Sequence, residues 1–139
     1  MPPISGARHW FAEHTGELEI GLEAGSLAEL FAEAGRALAE VMAGATAPAC
    51  GAAVPVSLRA SDRDALLVAW LDELLFLAER DKMIYGEIRI ERITERELGA
   101  AVRGAPATEL RTQVKAATFH DLKIVEDADG FAATVILDV

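Results

Sequence analysis

Hydrophobic and polar residues alternate along the stretch ELEIGLEA, residues 17–24. Its leucine and isoleucine side chains fall on one face of an extended segment, and its glutamates fall on the other face. A period of two residues is typical of a β-strand that is buried on one side only. The pattern therefore predicts a strand over residues 17–24, with Glu17 and Glu19 directed away from the core.

Two later segments carry apolar residues at helical spacing. Ser26 and Glu29 have the spacing of an N-terminal capping box, and the apolar residues that follow predict a helix over residues 27–42. Ser61 and Asp64 repeat the capping spacing before a second helix. The apolar residues of the second helix occupy much of its circumference: Leu66, Leu67, Val68, Trp70, Leu71, Leu74, Leu75, Leu77 and Ala78. We expect this second helix to be the most buried element.

The remaining patterns are those of strands. A short strand is predicted around Pro55, and because proline has no backbone N–H, Pro55 indicates the edge of a sheet. Alternation returns after Asp81 in four segments, carried by Ile84, Ile88 and Ile90, by Leu98, Ala100 and Val102, by residues 113–125 and by residues 131–138. Asp129 and Gly130, in the turn EDADG, suit a tight hairpin between the last two segments.

The order of elements is strand, helix, strand, helix and then four strands. This order predicts an α+β fold in which two helices pack on a mainly antiparallel or mixed β-sheet. A length of 139 residues is usual for one domain with one hydrophobic core. Residues 1–139 are therefore expected to form a single domain.

Charge and cysteine content narrow the class of protein. The chain has 13 Lys and Arg residues and 23 Asp and Glu residues, a formal net charge of -10, which disfavours sequence-independent binding to a phosphate backbone. The single cysteine, Cys50, cannot form an internal disulfide. No apolar run resembles a signal peptide, and the longest apolar segment is interrupted by Asp72 and Glu73. We therefore expect a soluble cytoplasmic protein without membrane contact, linked to nucleic acid only through a partner.

Carboxylates near the two ends of the chain are candidates for a metal site. Asp138 points away from its apolar neighbours in the last predicted strand, and the α-carboxylate of Val139 lies one residue further on. Clustered carboxylate oxygens suit a hard divalent cation such as Ca²⁺, Mg²⁺ or Mn²⁺. Sequence spacing does not determine whether Glu17 lies beside Asp138. The alternative interpretation of Glu17 is an ordinary solvated strand face.

Three further polar residues are candidates for a functional site. Lys115, in the run VKAATFHDLKI, meets the carboxylates only if its strand face matches theirs, and the alternative is a solvated edge lysine. His14 and His120 have three interpretations: metal ligands, a general base or structural histidines. Cys50 has no neighbouring histidine, and neither a GxSxG motif nor a glycine-rich phosphate loop is present in the sequence. No motif therefore indicates covalent catalysis.

Five ordered segments together resemble the archease family: EHTGELEI, SLAELFAEAGRALAEVM, ALLVAWLDELLFL, VKAATFHDLKI and the terminal VILDV. The resemblance covers nearly the whole chain. It implies a chaperone-like protein cofactor, not itself a catalyst, that assists a GTP-dependent RNA-splicing ligase acting notably on transfer RNA halves. It also implies that the cofactor promotes guanylylation and repeated turnover of the ligase, and that RNA is reached only through the ligase.

The resemblance implies roles for individual residues as well. The family pattern near the start is His-Thr-Ala-Asp, with the aspartate as a metal ligand, and here the same stretch reads HTGE and ends at Glu17. Glu17 keeps the carboxylate, but its extra methylene moves the oxygens by about 1.5 Å. Asp138 and the carboxyl group of Val139 match the remaining ligands of the family. Lys115 matches the lysine of its VKA motif and His120 the histidine of its TxH motif.

The resulting hypothesis is a divalent-metal site formed by Glu17, Asp138 and Val139, with Lys115, His14 and His120 as residues for partner contact or activation. A second hypothesis is a stand-alone metal-dependent hydrolase that uses Glu17, Asp138 and one of the histidines. A third is a structural or general chaperone domain that does not depend on a ligase.

Overall fold

The computed structural model of the chain describes residues 6–44, 48–107, 112–118 and 122–139. Two helices and eight strands lie within these ranges. In chain order they are β1 (Arg8–His14), β2 (Glu17–Ala24), α1 (Leu27–Ala43), β3 (Cys50–Arg59), α2 (Arg63–Asp81), β4 (Met83–Ile93), β5 (Glu97–Pro106), β6 (Ala116–Thr118), β7 (Val125–Asp127) and β8 (Gly130–Asp138). No helix in these ranges is both long and apolar enough to cross a membrane.

The strands form two antiparallel sheets. The five-stranded sheet has the order β1-β2-β8-β6, and β7 also pairs with β8. The three-stranded sheet has the order β3-β5-β4. The α+β class and the antiparallel pairing are confirmed, but the division into two sheets was not predicted. The sequence pattern also missed β1, because the RHWFAEH stretch does not alternate between apolar and polar residues.

Both helices contact both sheets. α1 packs against β2 of the larger sheet and β4 of the smaller one, and α2 packs against β6 of the larger sheet and β3 and β4 of the smaller one. The indole Nε1–H of Trp70 in α2 donates a hydrogen bond to the carbonyl oxygen of Phe31 in α1 at 2.8 Å. Buried side chains from the sheets and the helices therefore form one continuous core.

The first helix, and not the second, is the more buried. In α1, 11 of 17 residues are buried, compared with eight of 19 in α2. The expectation for α2 was wrong because α1, which contains many alanines, packs closely on β4 and β2, so that its small residues are buried together with its large ones. α2, in contrast, leaves the large side chain of Phe76 exposed.

The helix caps follow the predicted chemistry with one shift. The hydroxyl of Ser26 accepts a hydrogen bond from the backbone N–H of Glu29 at 3.1 Å, as predicted for α1. The cap of α2 is Asp62 rather than Ser61, because Oδ1 of Asp62 accepts from the N–H of Ala65 at 2.8 Å.

Three strand predictions have clear outcomes. The strand that contains Pro55, β3, lies at the edge of its sheet as expected, since among the described residues it pairs with β5 alone. The hairpin between β7 and β8 is confirmed, with the side chain of Asp127 accepting from the backbone N–H groups of Asp129 and Gly130. The single run predicted over residues 113–125 instead contains two strands of three residues, β6 and β7, and its residues 119–121 lie outside the described ranges.

We expect Gly104→Ala to destabilise the fold by about 1–3 kcal/mol, the usual cost of overpacking. A Cβ at Gly104 in β5 would overlap the carbonyl oxygen of Ile84 in β4, so the backbone must move. Gly99→Ala on the same strand is the matched control, because the three atoms nearest to its Cβ belong to the exposed side chain of Arg92 and not to the backbone. Urea unfolding followed by circular dichroism measures both variants, and equal stabilities would contradict the packing argument.

Candidate functional site

The strand register brings three of the sequence-predicted residues, His14, Glu17 and Asp138, into one row. His14 of β1 is paired with Glu17 of β2, Glu17 with Asp138 of β8, and Asp138 with Ala116 of β6. Residues directly opposite each other in antiparallel strands point to the same face of the sheet. His14, Glu17, Asp138 and Ala116 therefore lie side by side, and we call them the acidic row.

The two carboxylates of the acidic row are close neighbours on an exposed surface. The Cβ atoms of directly opposite residues are about 4.5–5.5 Å apart, so the Glu17 and Asp138 side chains can reach a common ion. Both residues are exposed. Within the described residues, neither side-chain carboxylate has a hydrogen-bond or ion-pair partner. Like charges directly opposite each other destabilise a sheet, so a cation placed between these groups would remove an unfavourable interaction.

Backbone hydrogen bonds fix two further predicted residues next to the acidic row. The N–H of Lys115 donates to the carbonyl oxygen of Asp138 at 2.8 Å, and the N–H of Val139 donates to the carbonyl oxygen of Gly16 at 3.2 Å. Val139 therefore lies next to the start of β2. Lys115 is exposed, and among the described residues its ammonium group forms no ion pair with Asp138.

Sequence reasoning missed the residue that holds the strand next to Lys115. Oδ1 of Asp72, on α2, accepts a hydrogen bond from the backbone N–H of Ala117 at 3.1 Å. This bond ties β6, and the adjacent Lys115, to the helix layer. In the sequence, Asp72 is a charged residue within an otherwise apolar helical segment. This interruption was the signal that could have identified Asp72 as a contact residue.

The two histidines of the prediction have different outcomes. His14 is on the row itself, and its Nε2 lies 3.6 Å from Oε1 of Glu19, with both side chains well exposed. His120 lies outside the described residues. The structure therefore brings His14, Glu17, Asp138, Lys115 and Val139 together.

The acidic row contains two carboxylates that would each supply an oxygen ligand to a bound divalent cation. No three His, Cys, Asp or Glu side chains in residues 6–44, 48–107, 112–118 and 122–139 are arranged as a metal site. A cation between Glu17 and Asp138 would need further oxygen ligands, because Ca²⁺ takes six to eight and Mg²⁺ takes six.

A second charged cluster, which the sequence did not indicate, joins β1 to α1. Nδ1 of His9 lies 2.6 Å from Oε2 of Glu33, and Nε2 lies 2.5 Å from Oε2 of Glu40. The other oxygen of Glu33 accepts a hydrogen bond from Nε of Arg36 at 3.1 Å. An imidazole that donates from both nitrogens is an imidazolium. His9 is therefore held as a cation between two carboxylates.

Burial and charge act in opposite directions in this cluster. Burial by itself lowers the pKa of His9, but hydrogen bonds to Glu33 and Glu40 and the charges of those groups outweigh burial and raise the pKa above its usual 6.5. Burial by itself raises the pKa of Glu33, which is only 8% exposed, but hydrogen bonds from His9 and Arg36 lower that pKa below its usual 4.5. The pKa shifts of His9 and Glu33 thus both favour the charged form of each side chain.

A cleft lies beside this second cluster. Its volume is about 940 Å³, and α1 forms one wall while β4 and β5 form the other. His9, Glu33 and Glu40 line it, whereas Glu17 and Asp138 do not. The acidic row is therefore an open surface site, separate from the cleft.

Comparison with known proteins identifies a family. Residues 10–139 match the model of the Archease protein family (MTH1598/TM1083). The chain is 30% identical to the protein named archease from Methanosarcina acetivorans over 99% of each chain. It is 32% identical to the protein named archease from Methanothermobacter thermautotrophicus, over 81% of this chain and 85% of the relative.

Two solved structures share the fold. The solution structure of protein 1598 from Methanobacterium thermoautotrophicum has a TM-score of 0.74 and 28% identity, covering 94% of this chain and 98% of that protein. The crystal structure of an archease from Thermotoga maritima, described as a possible chaperone, has a TM-score of 0.67 and 21% identity, with 92% and 94% covered. The matched residues include the whole acidic row, whereas His9 precedes them.

We expect the second charged cluster to stabilise the fold most between about pH 4.5 and pH 6.5. The raised pKa of His9 means that its contribution is complete below 6.5 and is lost as the pH rises through the folded-state pKa. The lowered pKa of Glu33 means that its contribution is complete above 4.5 and is lost as the pH falls through the folded-state value. Outside this window the cluster should contribute less.

The measurement is the free energy of unfolding in urea at a series of pH values, for the native chain, His9→Gln and His14→Gln. The stability difference between the native chain and His9→Gln should decrease above pH 6.5. The exposed His14, whose Nε2 lies 3.6 Å from Oε1 of Glu19, provides the control, and we expect its replacement to change stability less than replacement of His9. A difference for His9→Gln that is the same from pH 5 to pH 9 would contradict the imidazolium assignment.

Proposed function

Because this chain belongs to the archease protein family, we propose that it is a protein cofactor of a GTP-dependent RNA-splicing ligase. In this role it promotes guanylylation of the ligase and its multiple turnover in tRNA splicing or RNA repair, and it is not itself the catalyst. The observation that carries the proposal is the register that sets Glu17 directly opposite Asp138, with Lys115 hydrogen-bonded to the same strand.

The family pattern has an aspartate where this chain has Glu17, and the pairing with Asp138 supports a shared task for the two carboxylates. Two unpaired carboxylates on adjacent strands cost stability in the isolated protein. Such a cost is consistent with a surface that meets a positive charge during function. A divalent cation, Ca²⁺, Mg²⁺ or Mn²⁺, is the charge that these ligands fit, and it would supply a bridge between the carboxylates and a partner.

The distribution of charge supports an indirect relation to RNA. A chain with a formal net charge of -10 repels a phosphate backbone but is attracted to a basic, metal-loaded active site. The acidic row is open and lies on the outer face of the five-stranded sheet, where a large partner can approach it. We therefore assign RNA contact to the ligase.

The proposed mechanism is transient docking of the acidic row beside the ligase active site. Glu17 and Asp138 would hold a divalent cation, which would supply positive charge beside the ligase active site. Lys115 offers a positive group at the rim of the same surface. Docking favours the ligase conformation that is competent for guanylylation. Since one cofactor must serve repeated cycles, the contact is reversible and modest in area. The description of the Thermotoga maritima protein as a possible chaperone is compatible with this role.

Ligation by the purified ligase, with GTP and Mn²⁺ under multiple-turnover conditions, tests the function. We expect stimulation by the native chain and a loss of at least tenfold in that stimulation for Asp138→Ala, because half of the carboxylate pair is removed. Glu79→Ala is the matched control, since Glu79 is an exposed carboxylate on α2 away from the acidic row. A folded Asp138→Ala variant that stimulates the ligase as strongly as the native chain would contradict the assignment of the acidic row as the functional site.

The same preparation tests the alternative class. Hydrolysis of phosphoesters or nucleotides by the purified chain alone, abolished in Asp138→Ala, would identify a metal-dependent hydrolase instead. Absence of stimulation together with general protection of unrelated unfolded proteins would identify a general chaperone domain.

We expect the carboxylate pair to make stability depend on divalent cations. A cation at 100 times its dissociation constant adds about 2.7 kcal/mol to the free energy of unfolding. In Glu17→Gln this gain should shrink, while in EDTA the same variant should be more stable than the native chain by a few tenths of a kcal/mol, because the like-charge contact is gone. Thermal unfolding with EDTA, Ca²⁺, Mg²⁺ and Mn²⁺ measures both effects, with Glu79→Gln as the control. Identical melting temperatures for the native chain in all four conditions would argue against a metal at the row.

A further inference from the structure

An exposed tryptophan lies on the same sheet face as the acidic row. Trp10 of β1 is 46% exposed. It is one of the few large apolar residues in the described part of the chain that are exposed and not partly or fully buried. It is paired with Gly21 of β2, and Gly21 with Thr134 of β8. Alternation along β1 puts Trp10 and His14 on one face, which is the outer face of the five-stranded sheet.

Neighbouring residues hold Trp10 in place. Its indole lies against Gly21, and a Cβ at that position would overlap the ring. The guanidinium of Arg8 lies 5.5 Å from the centre of the ring, and Arg8 is in turn bound to the carboxylate of Glu23. An aromatic side chain that is already restrained loses little conformational entropy when a partner covers it. Trp10 is therefore preorganised and still half accessible.

The distance between Trp10 and the acidic row is small compared with a protein interface. Trp10 lies four positions before His14 along β1, about 13 Å at the rise of an extended strand. A standard interface covers about 800 Å² on each partner, which corresponds to a patch about 30 Å across. A protein centred on Glu17 and Asp138 would therefore cover Trp10 as well.

The charges around Trp10 specify the chemistry of the partner. Glu17, Glu19 and Glu23 of β2 share the outer face with Asp138, and Arg8 is the cation on β1 that partly offsets them. An arginine or lysine side chain from another protein can pair with Glu17 and Asp138, and its aliphatic part can pack against the exposed part of the indole of Trp10. A single-stranded nucleic acid could stack on Trp10 too, but its phosphates would face the carboxylates.

We propose that Trp10 is the aromatic anchor of the docking surface, and that it packs against an arginine- or lysine-bearing protein surface while the acidic row engages the adjacent metal-loaded site. The proposal rests on the function proposed above, and it adds a residue that contributes affinity without taking part in activation. Tryptophan is among the interface residues whose truncation to alanine is most costly. Trp10 thus determines how tightly the partner binds, and Glu17 and Asp138 determine what the bound state does.

The test measures the dissociation constant between the chain and the purified ligase, together with ligase stimulation as a function of cofactor concentration. We expect Trp10→Ala to raise the dissociation constant at least tenfold. At a saturating concentration of the variant, ligase stimulation should equal that given by the native chain. Phe76→Ala is the matched control, because Phe76 is also an exposed aromatic ring, 55% exposed, with Arg80 lying over it at 5.8 Å. Phe76 is on α2, so its truncation should change the dissociation constant by less than twofold.

A second measurement uses the unmutated chain. The chain has two tryptophans, one exposed and one buried, so labelling with 5-fluorotryptophan gives two ¹⁹F resonances. Addition of ligase should shift or broaden the resonance of Trp10 and leave that of Trp70 nearly unchanged. This readout holds even if Trp10→Ala folds poorly.

Each outcome decides between the two proposals. If the native chain binds and stimulates the ligase but Trp10→Ala binds equally well and the Trp10 resonance does not respond, the anchor is overturned and the proposed function stands. If the native chain neither binds nor stimulates the ligase, both are overturned. If single-stranded RNA alone shifts the Trp10 resonance with micromolar affinity, the surface binds nucleic acid and the protein anchor is overturned.

Discussion

The antiparallel pairing of β2 with β8 is the constraint on which the candidate site depends. Eight consecutive residue pairs join these strands, from Glu17 opposite Asp138 to Ala24 opposite Phe131. One set of side chains in this ladder, including Ile20 and Leu137, is fully buried against the helices. A slip of one residue would expose that set and bury the carboxylates, so burial of the core fixes the position of the site.

The same ladder explains how a surface with an unfavourable local charge pattern persists. Placing Glu17 opposite Asp138 costs stability, but the cost is a fraction of what the buried side of the ladder contributes. The open rim is secured by hydrogen bonds of the main chain, from Lys115 to Asp138 and from Val139 to Gly16, and by the side chain of Asp72. The core thus holds two like charges side by side on the surface.

A different kind of tie holds the edge strand. In the described part of the chain, β1 pairs with its sheet through β2 alone. The charged contact of His9 with Glu33 and Glu40 connects the inner face of β1 to α1. The outer side of β1 carries Trp10 and His14 next to the acidic groups of β2. The charged side chain of His9, on the inner face of β1, is therefore paired within the molecule. The side chain of His14, on the outer face next to the acidic row, is exposed to solvent.

The sequence by itself determined the class of the fold, the extent of β2, the start of α1 and the identity of the carboxylates, because these follow from local periodicity and capping chemistry. It also placed Asp138 on the outer side of the last strand, since alternation within one strand needs no knowledge of its neighbours. The registers that join Glu17 to Asp138, the division into two sheets and the greater burial of α1 were decided only by tertiary packing. β1 and the contact of His9 with Glu33 and Glu40 were decided in the same way, because these features join residues distant in sequence. Periodicity along one segment carries no information about which segment will cover it, and only the folded core selects the partner.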